Sequence, residues 1–279
     1  MPRLPAIALT ALALLLAAPS ADARPGRPAD DDDSGARHKQ KLILDGVPER
    51  VNWNDGDSFR ILRGSRDGQK ARLIGYNTLE SYGPVHFWGD FTGWDLYHTH
   101  KDATALAKSE EWECESSGKA DGYGRILVAC PELRRRLIAT GLAHVYAFGD
   151  EEPDPDLITL QLQAQAERKG MWAKGVPKDI VTSVHSIDEP AEKGVAAHGP
   201  RTESYNRVCD TKTGKTLAIP HTTIFKTCDA FCHGGSCLLY IPFAERYGKR
   251  RAACVVGDAG DKNRMSGLAE IDQPLVVDP

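Results

Sequence analysis

A chain of 279 residues with 41% hydrophobic content has enough mass for one or two domains and a sizeable core. Its net charge of −4 excludes a bulk electrostatic grip on nucleic acid. Any dealings with phosphate must rest on a few focused cations.

The chain opens MPRLPAIALTALALLLAAPSADA, with Arg3, an apolar run from Ala6 to Ala18, and Ala21-Asp22-Ala23. This pattern predicts a secretory signal peptide over residues 1–23, cut after Ala23, and a secreted or periplasmic protein. The run is shorter than the roughly 18 residues of a spanning helix. Residues 24–40 are polar, with a charge run at Asp30 to Asp33, and read as a disordered linker.

Residues 41–176 read as an α+β domain. KLILDGVPERVNWNDGDSFRIL predicts two short strands joined by a turn, and QKARLIGYN a third. A loop rich in Gly and aromatics follows from Ser81 to about Tyr97. Good helix formers in KDATALAKS predict a short helix over Lys101–Ser109. EWECES and GRILVAC read as a hairpin around Gly118 to Gly124. PELRRRLIATG has Pro131 at a helix start and Gly141 at its stop, with Leu133 and Leu137 on one face. A last helix begins near Asp154–Asp156 and stops at Gly170. Five short strands with inserted helices point to a small Greek-key barrel such as an OB-fold. Residues 177–199 show little periodicity and read as a linker, and residues 200–279 as a cysteine-rich domain.

Seven cysteines occur, two in the first half and five in the last quarter. In an exported protein the expectation is disulfides, and an odd count leaves at least one thiol over. Cys114 and Cys130 fall on the two strands of the hairpin; a disulfide and a pair of reduced core thiols both remain open. In CDAFCHGGSC, the residues Cys228, Cys232, His233 and Cys237 are close enough for zinc. Their spacing is not a paired CxxC, and export favours disulfides.

Four pieces of the α+β domain carry chemistry: DGDSF (Asp55–Phe59), RLIGYNTLE (Arg72–Glu80), DGYGR (Asp121–Arg125) and AQAERKGMW (Ala164–Trp172). Singly each has an ordinary explanation. Asp-Gly is a turn signal, and a strand arginine is commonly a surface residue. In this order, over roughly residues 41–172, they resemble the staphylococcal nuclease family.

The resemblance implies a five-stranded OB-type barrel with flanking helices and a calcium-dependent nuclease acting on DNA or RNA. By position it assigns Asp57, Asn77 and Thr78 to the metal, with Asp55 beside them. It assigns Arg72 and Arg125 to the phosphate, Glu80 to the attacking water, and Tyr123 to the bound nucleotide. These residue types suit the task. Calcium takes hard oxygen ligands, and the arginine fork grips phosphate bidentately while staying charged. Three departures stand out. Asn77 replaces a carboxylate, which implies weakened calcium binding or another divalent metal. Leu79 replaces a proline, and Ser58 a threonine. The alternative reading is an inactive OB-fold that only binds nucleic acid. No membrane or protein partner is expected.

The loop after Glu80 holds His86, His98 and His100, and His98-x-His100 has transition-metal spacing. Exposed histidines are the commoner outcome. The nearby Phe87, Trp88, Phe91, Trp94 and Tyr97 can stack on bases or cover the barrel, and are expected to pack, with some substrate contact.

Overall fold

The computed structural model describes residues 41–80, 85–189, 202–246 and 250–255. The expected signal peptide and first linker lie outside the described residues.

The N-terminal strands are β1 (Lys41–Leu44), β2 (Val47–Trp53), β3 (Ser58–Ile61) and β4 (Lys70–Leu73). Two short strands follow, β5 (Tyr76–Asn77) and β6 (His86–Trp88), and then helix α1 (Gly93–Ser109). The hairpin is β7 (Trp112–Ala120) and β8 (Ile126–Ala129), followed by α2 (Pro131–Ala139). Strands β9 (His144–Val145) and β10 (Ala147–Phe148) lead to α3 (Pro155–Ala166). The remaining strands are β11 (Asp179–Ser183), β12 (Ser204–Asp210), β13 (Lys215–His221), β14 (Ala230–His233) and β15 (Ser236–Leu239).

Strands β1-β2-β3-β4-β8-β7 close into a barrel, so the fold is the α+β barrel expected, with six strands rather than five. The extra strand comes from the first run, which folds as three strands, not two. It is broken twice: by Asp45-Gly46, both at positive φ, and by the Asp55–Asp57 loop. A two-residue Asp-Gly connection is the turn whose twist suits a hairpin. Period-2 alternation sends Val51, Trp53, Phe59, Ile61, Ala71 and Leu73 inward, where they meet Leu133 and Leu137 of α2. Each fully buried Leu, Ile or Phe contributes about 1.5–3 kcal/mol of burial.

Helix α1 begins eight residues before the predicted start at Lys101. A capping box supplies the signal that the sequence reading passed over: the Thr92 side chain accepts from Asp95 N, and the Asp95 side chain accepts from Thr92 N. The aromatic loop accordingly holds β6 and the first turns of α1, and its rings pack. Trp88 is buried against Leu79 and Trp172, while Phe87, Trp94 and Tyr97 pack on the cluster of Val85 and Ile241.

The segment expected to be a linker contains β11. The cysteine-rich segment shares two sheets with the rest of the chain: β10-β13-β12-β11 and β14-β15-β6. Fully buried Gln161 of α3 adds a further tie, accepting from Val145 N at 2.7 Å and donating to Thr211 O at 2.6 Å. Three disulfides form: Cys114–Cys130, Cys228–Cys254 and Cys232–Cys237. Cys209 is the free thiol among the described residues and is buried. Among the described residues no helix is long and apolar enough to cross a membrane.

Candidate functional site

The site grows from the loop between β2 and β3. Asp55 Oδ1 accepts from Asp57 N at 3.1 Å and from Ser58 Oγ at 2.7 Å, an Asx turn that fixes the loop. Gly56 is needed for close approach: a Cβ there would stand 2.7 Å from Thr78 Cγ2 and 3.1 Å from Ala103 Cβ. The Tyr76 hydroxyl donates to Gly56 O at 2.8 Å. Leu73 N donates to Asp57 O at 2.9 Å, which stitches the loop to β4.

Pairing of β3 with β4 sets Ser58 opposite Arg72, so Arg72 emerges beside Asp57. The guanidinium donates through Nη1 to Asp57 Oδ1 and through Nη2 to Asn77 Oδ1. The other Asp57 oxygen, Oδ2, accepts from Thr78 N at 2.7 Å and from Thr78 Oγ1 at 2.8 Å. Burial opposes ionisation of Asp57, but the Arg72 charge and the Thr78 donors outweigh it and hold its carboxyl below the usual value. Asp55 moves the other way. Burial and the neighbouring Asp57 charge push it well above the usual carboxylate range.

Glu80 follows at the end of this stretch, exposed but crowded by protein. The crowding, its largest influence, raises the carboxyl above its ordinary value. Against it act the charges of Arg246, then Arg72 and Arg125. The sequence-predicted pair Arg72 and Arg125 therefore shares one field with Glu80. Arg125 comes from the β7–β8 turn, where the Asp121 carboxylate accepts from Tyr123 N, Arg125 N and Arg125 Nε at 2.9, 3.0 and 2.6 Å. Tyr123 is half exposed, and the Arg125 guanidinium lies 5.4 Å from its ring centre.

Behind the Asn77–Glu80 segment stand three buried histidines. His86 Nε2 accepts from Glu80 N at 3.4 Å, His100 Nδ1 lies 2.9 Å from Leu79 O, and His144 pairs with Asn77 across β5 and β9. Loss of hydration lowers their pKa values to about 3 for His86 and about 4 for His100 and His144, so all three are neutral at pH 7. His100 is thus a support of the loop, and His98 packs edge-on against Trp94. Sequence reasoning missed the roles of His86 and His144, and it missed Arg246 altogether. Two-residue strands leave too short a pattern to place His144, and Arg246 has no motif around it.

The oxygens assigned to calcium do not fit it as arranged. Both Asp57 oxygens and the Asn77 amide oxygen are engaged by protein donors, and a guanidinium already supplies the cation between them. Asn77 brings no charge, and Asp55 is disfavoured as an anion. Among the described residues no group of three His, Cys, Asp or Glu converges as metal ligands.

Residues 71–174 match the family model described as staphylococcal nuclease homologue. The match takes in β4, the Arg72–Glu80 segment, the Asp121–Arg125 turn and both helices α2 and α3. No curated protein matches the chain. A match to this family model over part of the chain, together with a closed barrel, points to a nuclease or a nucleic-acid-binding protein.

Proposed function

We propose that the chain is an exported endonuclease that hydrolyses phosphodiester bonds of DNA or RNA at the Arg72–Glu80–Arg125 site. One observation carries this reading: the Glu80 carboxylate sits in the common field of Arg72, on strand β4, and Arg125, at the end of the β7–β8 turn. A phosphodiester repels nucleophiles through its own negative charge. Arginines aimed at its oxygens offset that charge as it builds in the transition state. Glu80, with its pKa raised, is suited to take a proton from the attacking water near neutral pH. Calcium, which the family resemblance implies, would have to compete with Arg72 for Asp57 and Asn77. No step is assigned to it. Export is supported by the N-terminal signal pattern and by three disulfides, which persist in oxidising compartments.

The second reading is a binding barrel without chemistry. Its support is Asn77 in place of an acid and the closed bridge from Arg72 to Asp57 and Asn77.

The deciding experiment incubates the exported chain with single-stranded DNA, double-stranded DNA and RNA, each with calcium and with a chelator. Arg72→Ala, Glu80→Ala and Arg125→Ala should each lower cleavage by about 10²–10³-fold, as loss of one transition-state donor does. Full cleavage in all three would sink the mechanism. Binding without cleavage under every condition selects the second reading.

A further inference from the structure

Strands β9 and β10 lead away from the site and end on the C-terminal sheet. His144 pairs with Asn77, the residue whose amide oxygen meets Arg72, and Tyr146 N donates to Gly75 O at 3.2 Å. His144, Tyr146 and Phe148 recur at every second position, as side chains on one face of an extended run do. The His144 and Tyr146 rings lie edge to face, 6.3 Å apart. Four residues on from His144, at about 3.3 Å each, Phe148 stands about 13 Å farther along.

There Phe148 meets the C-terminal segment. It lies opposite Thr216 of β13, and β13 in turn sets Ala218 opposite Arg207 and Pro220 opposite Tyr205 of β12. Opposed residues share a face, so Phe148, Ala218, Pro220, Arg207 and Tyr205 stand on one side of this sheet. Ala218 is small, and the Arg207 side chain crosses β13 to bring its guanidinium carbon 4.8 Å from the ring centre of Phe148. The same carbon is 5.1 Å from the ring centre of Tyr205, whose hydroxyl accepts from Arg207 Nη2 at 2.9 Å. Two rings thus fix the guanidinium without neutralising it. Among the described residues Arg207 forms no ion pair within 4.0 Å. The surface is open: Tyr205 is 40% exposed, and Ala218 and Pro220 are exposed beside it.

An exposed ring beside a fixed arginine meets the two needs of a single nucleic-acid strand, a stacking partner for a base and a cation for a phosphate. An apolar protein partner would have to bury the unpaired charge of Arg207, a cost that a phosphate removes. We propose that Phe148, Arg207 and Tyr205 form a platform for the single strand of nucleic acid that leaves the Arg72–Glu80 site, with Tyr205 stacking on a base and Arg207 binding a backbone phosphate. The proposal rests on the nucleic-acid reading above and specifies a single-stranded form for this part of the substrate. Arg207 and Tyr205 lie outside the family match at residues 71–174, so the C-terminal segment is a working part of the interface as well as a stabilising one.

The test compares the full exported chain with Tyr205→Ala, Tyr205→Phe, Arg207→Gln and Arg207→Lys. A fluorescent single strand of about 12 nucleotides with a cleavage-resistant phosphorothioate backbone, and a duplex of the same length, are titrated across salt concentrations. Tyr205→Ala should weaken single-strand binding by about 5–150-fold, the worth of one stacked base. It should weaken duplex binding far less, because paired bases stay stacked on one another. Tyr205→Phe keeps the ring and should keep most of the affinity. Arg207→Gln should lower the slope of log K against log salt by about 0.7 for the single strand, and Arg207→Lys, which keeps the charge, should restore most of it. Equal losses on single strand and duplex, or a Tyr205→Phe chain as weak as Tyr205→Ala, mark a structural role and overturn the proposal. Unchanged affinity and slope overturn it too. So does self-association of the wild-type chain that Tyr205→Ala abolishes, which assigns the face to a second copy. A wild-type chain that binds the strand but cleaves no ordinary nucleic acid refutes the hydrolase reading alone, and the titrations still decide on the platform. A wild-type chain that binds no nucleic acid refutes both.

Discussion

The hydroxyl of Tyr76 donates to the carbonyl oxygen of Gly56 at 2.8 Å, and both residues are buried. This contact, across a gap of 20 positions, holds the Asp55–Asp57 loop against the segment that carries Asn77, Thr78 and Glu80. Gly56 has ordinary backbone angles, so its role is space. Gly56→Ala must push Thr78 and α1 apart and should cost about 1–3 kcal/mol, the usual penalty of overpacking. Tyr76→Phe strands a buried carbonyl and should cost about 1–3 kcal/mol. Urea unfolding checks both, and two wild-type midpoints would show that the loop is not held in this way.

Asp57 and Arg72 form an ion pair with side chains only 4% and 19% exposed. Removing one partner leaves a largely buried charge, so Asp57→Asn should destabilise the fold by about 3–5 kcal/mol. The double variant Asp57→Leu with Arg72→Met should recover much of that loss while abolishing nucleic-acid cleavage. A double variant no more stable than Asp57→Asn would contradict this account.

The three buried histidines set the acid limit of the fold. Each is held neutral when folded, with a pKa below the unfolded value of 6.5. Their contribution is therefore complete above pH 6.5. It declines as pH falls, because the unfolded chain then takes up protons that the folded chain refuses. The decline continues to about pH 4 for His100 and His144 and to about pH 3 for His86. One such histidine steepens the loss by about 1.4 kcal/mol per pH unit. Asp55 and Glu80, with raised values, act in the opposite sense in the same window. Stability measured between pH 7 and pH 4.5 should fall less steeply in His86→Gln than in wild type. Equal slopes would exclude His86 from the effect.

Cys209 is buried, and loss of hydration pushes its thiol up to about 12. The native protein should react with no thiol reagent at pH 8. Denatured without reductant, it should release one equivalent. The disulfide Cys228–Cys254 closes a loop of 26 positions, and Cys228→Ser with Cys254→Ser should cost about 3 kcal/mol by chain entropy. Two or more reactive thiols in the denatured wild type would overturn the pairing.

The site was legible where a local motif carries its own geometry. Asp55-Gly56-Asp57 announces a tight loop, Asp121 to Arg125 a turn closed by its first residue, and Pro131 and Gly141 the ends of α2. What the sequence hid lies in long-range pairing. Asn77 meets His144, and His86 meets Leu238, through strands of two to four residues whose alternation is too brief to read. Strand β11 was hidden for a related reason. Asp179–Ser183 is buried on nearly every residue, between β12 and the β14–β15 hairpin, so the half-polar alternation of a surface strand is missing. Leu79, noted as a departure from proline, is a core residue packed with Trp88, Leu96 and Trp172.

Strand β6 finds its hydrogen-bonding partner in β15, and β10 finds its own in β13. The stretch that matches the family ends at residue 174, before either partner begins. Excised as a cassette, that stretch would present two raw sheet edges to its neighbours and lose the first three staves of its barrel. Exposed edges of this kind invite chain-to-chain pairing. Transplanting this barrel into another protein therefore means carrying the tail along with it.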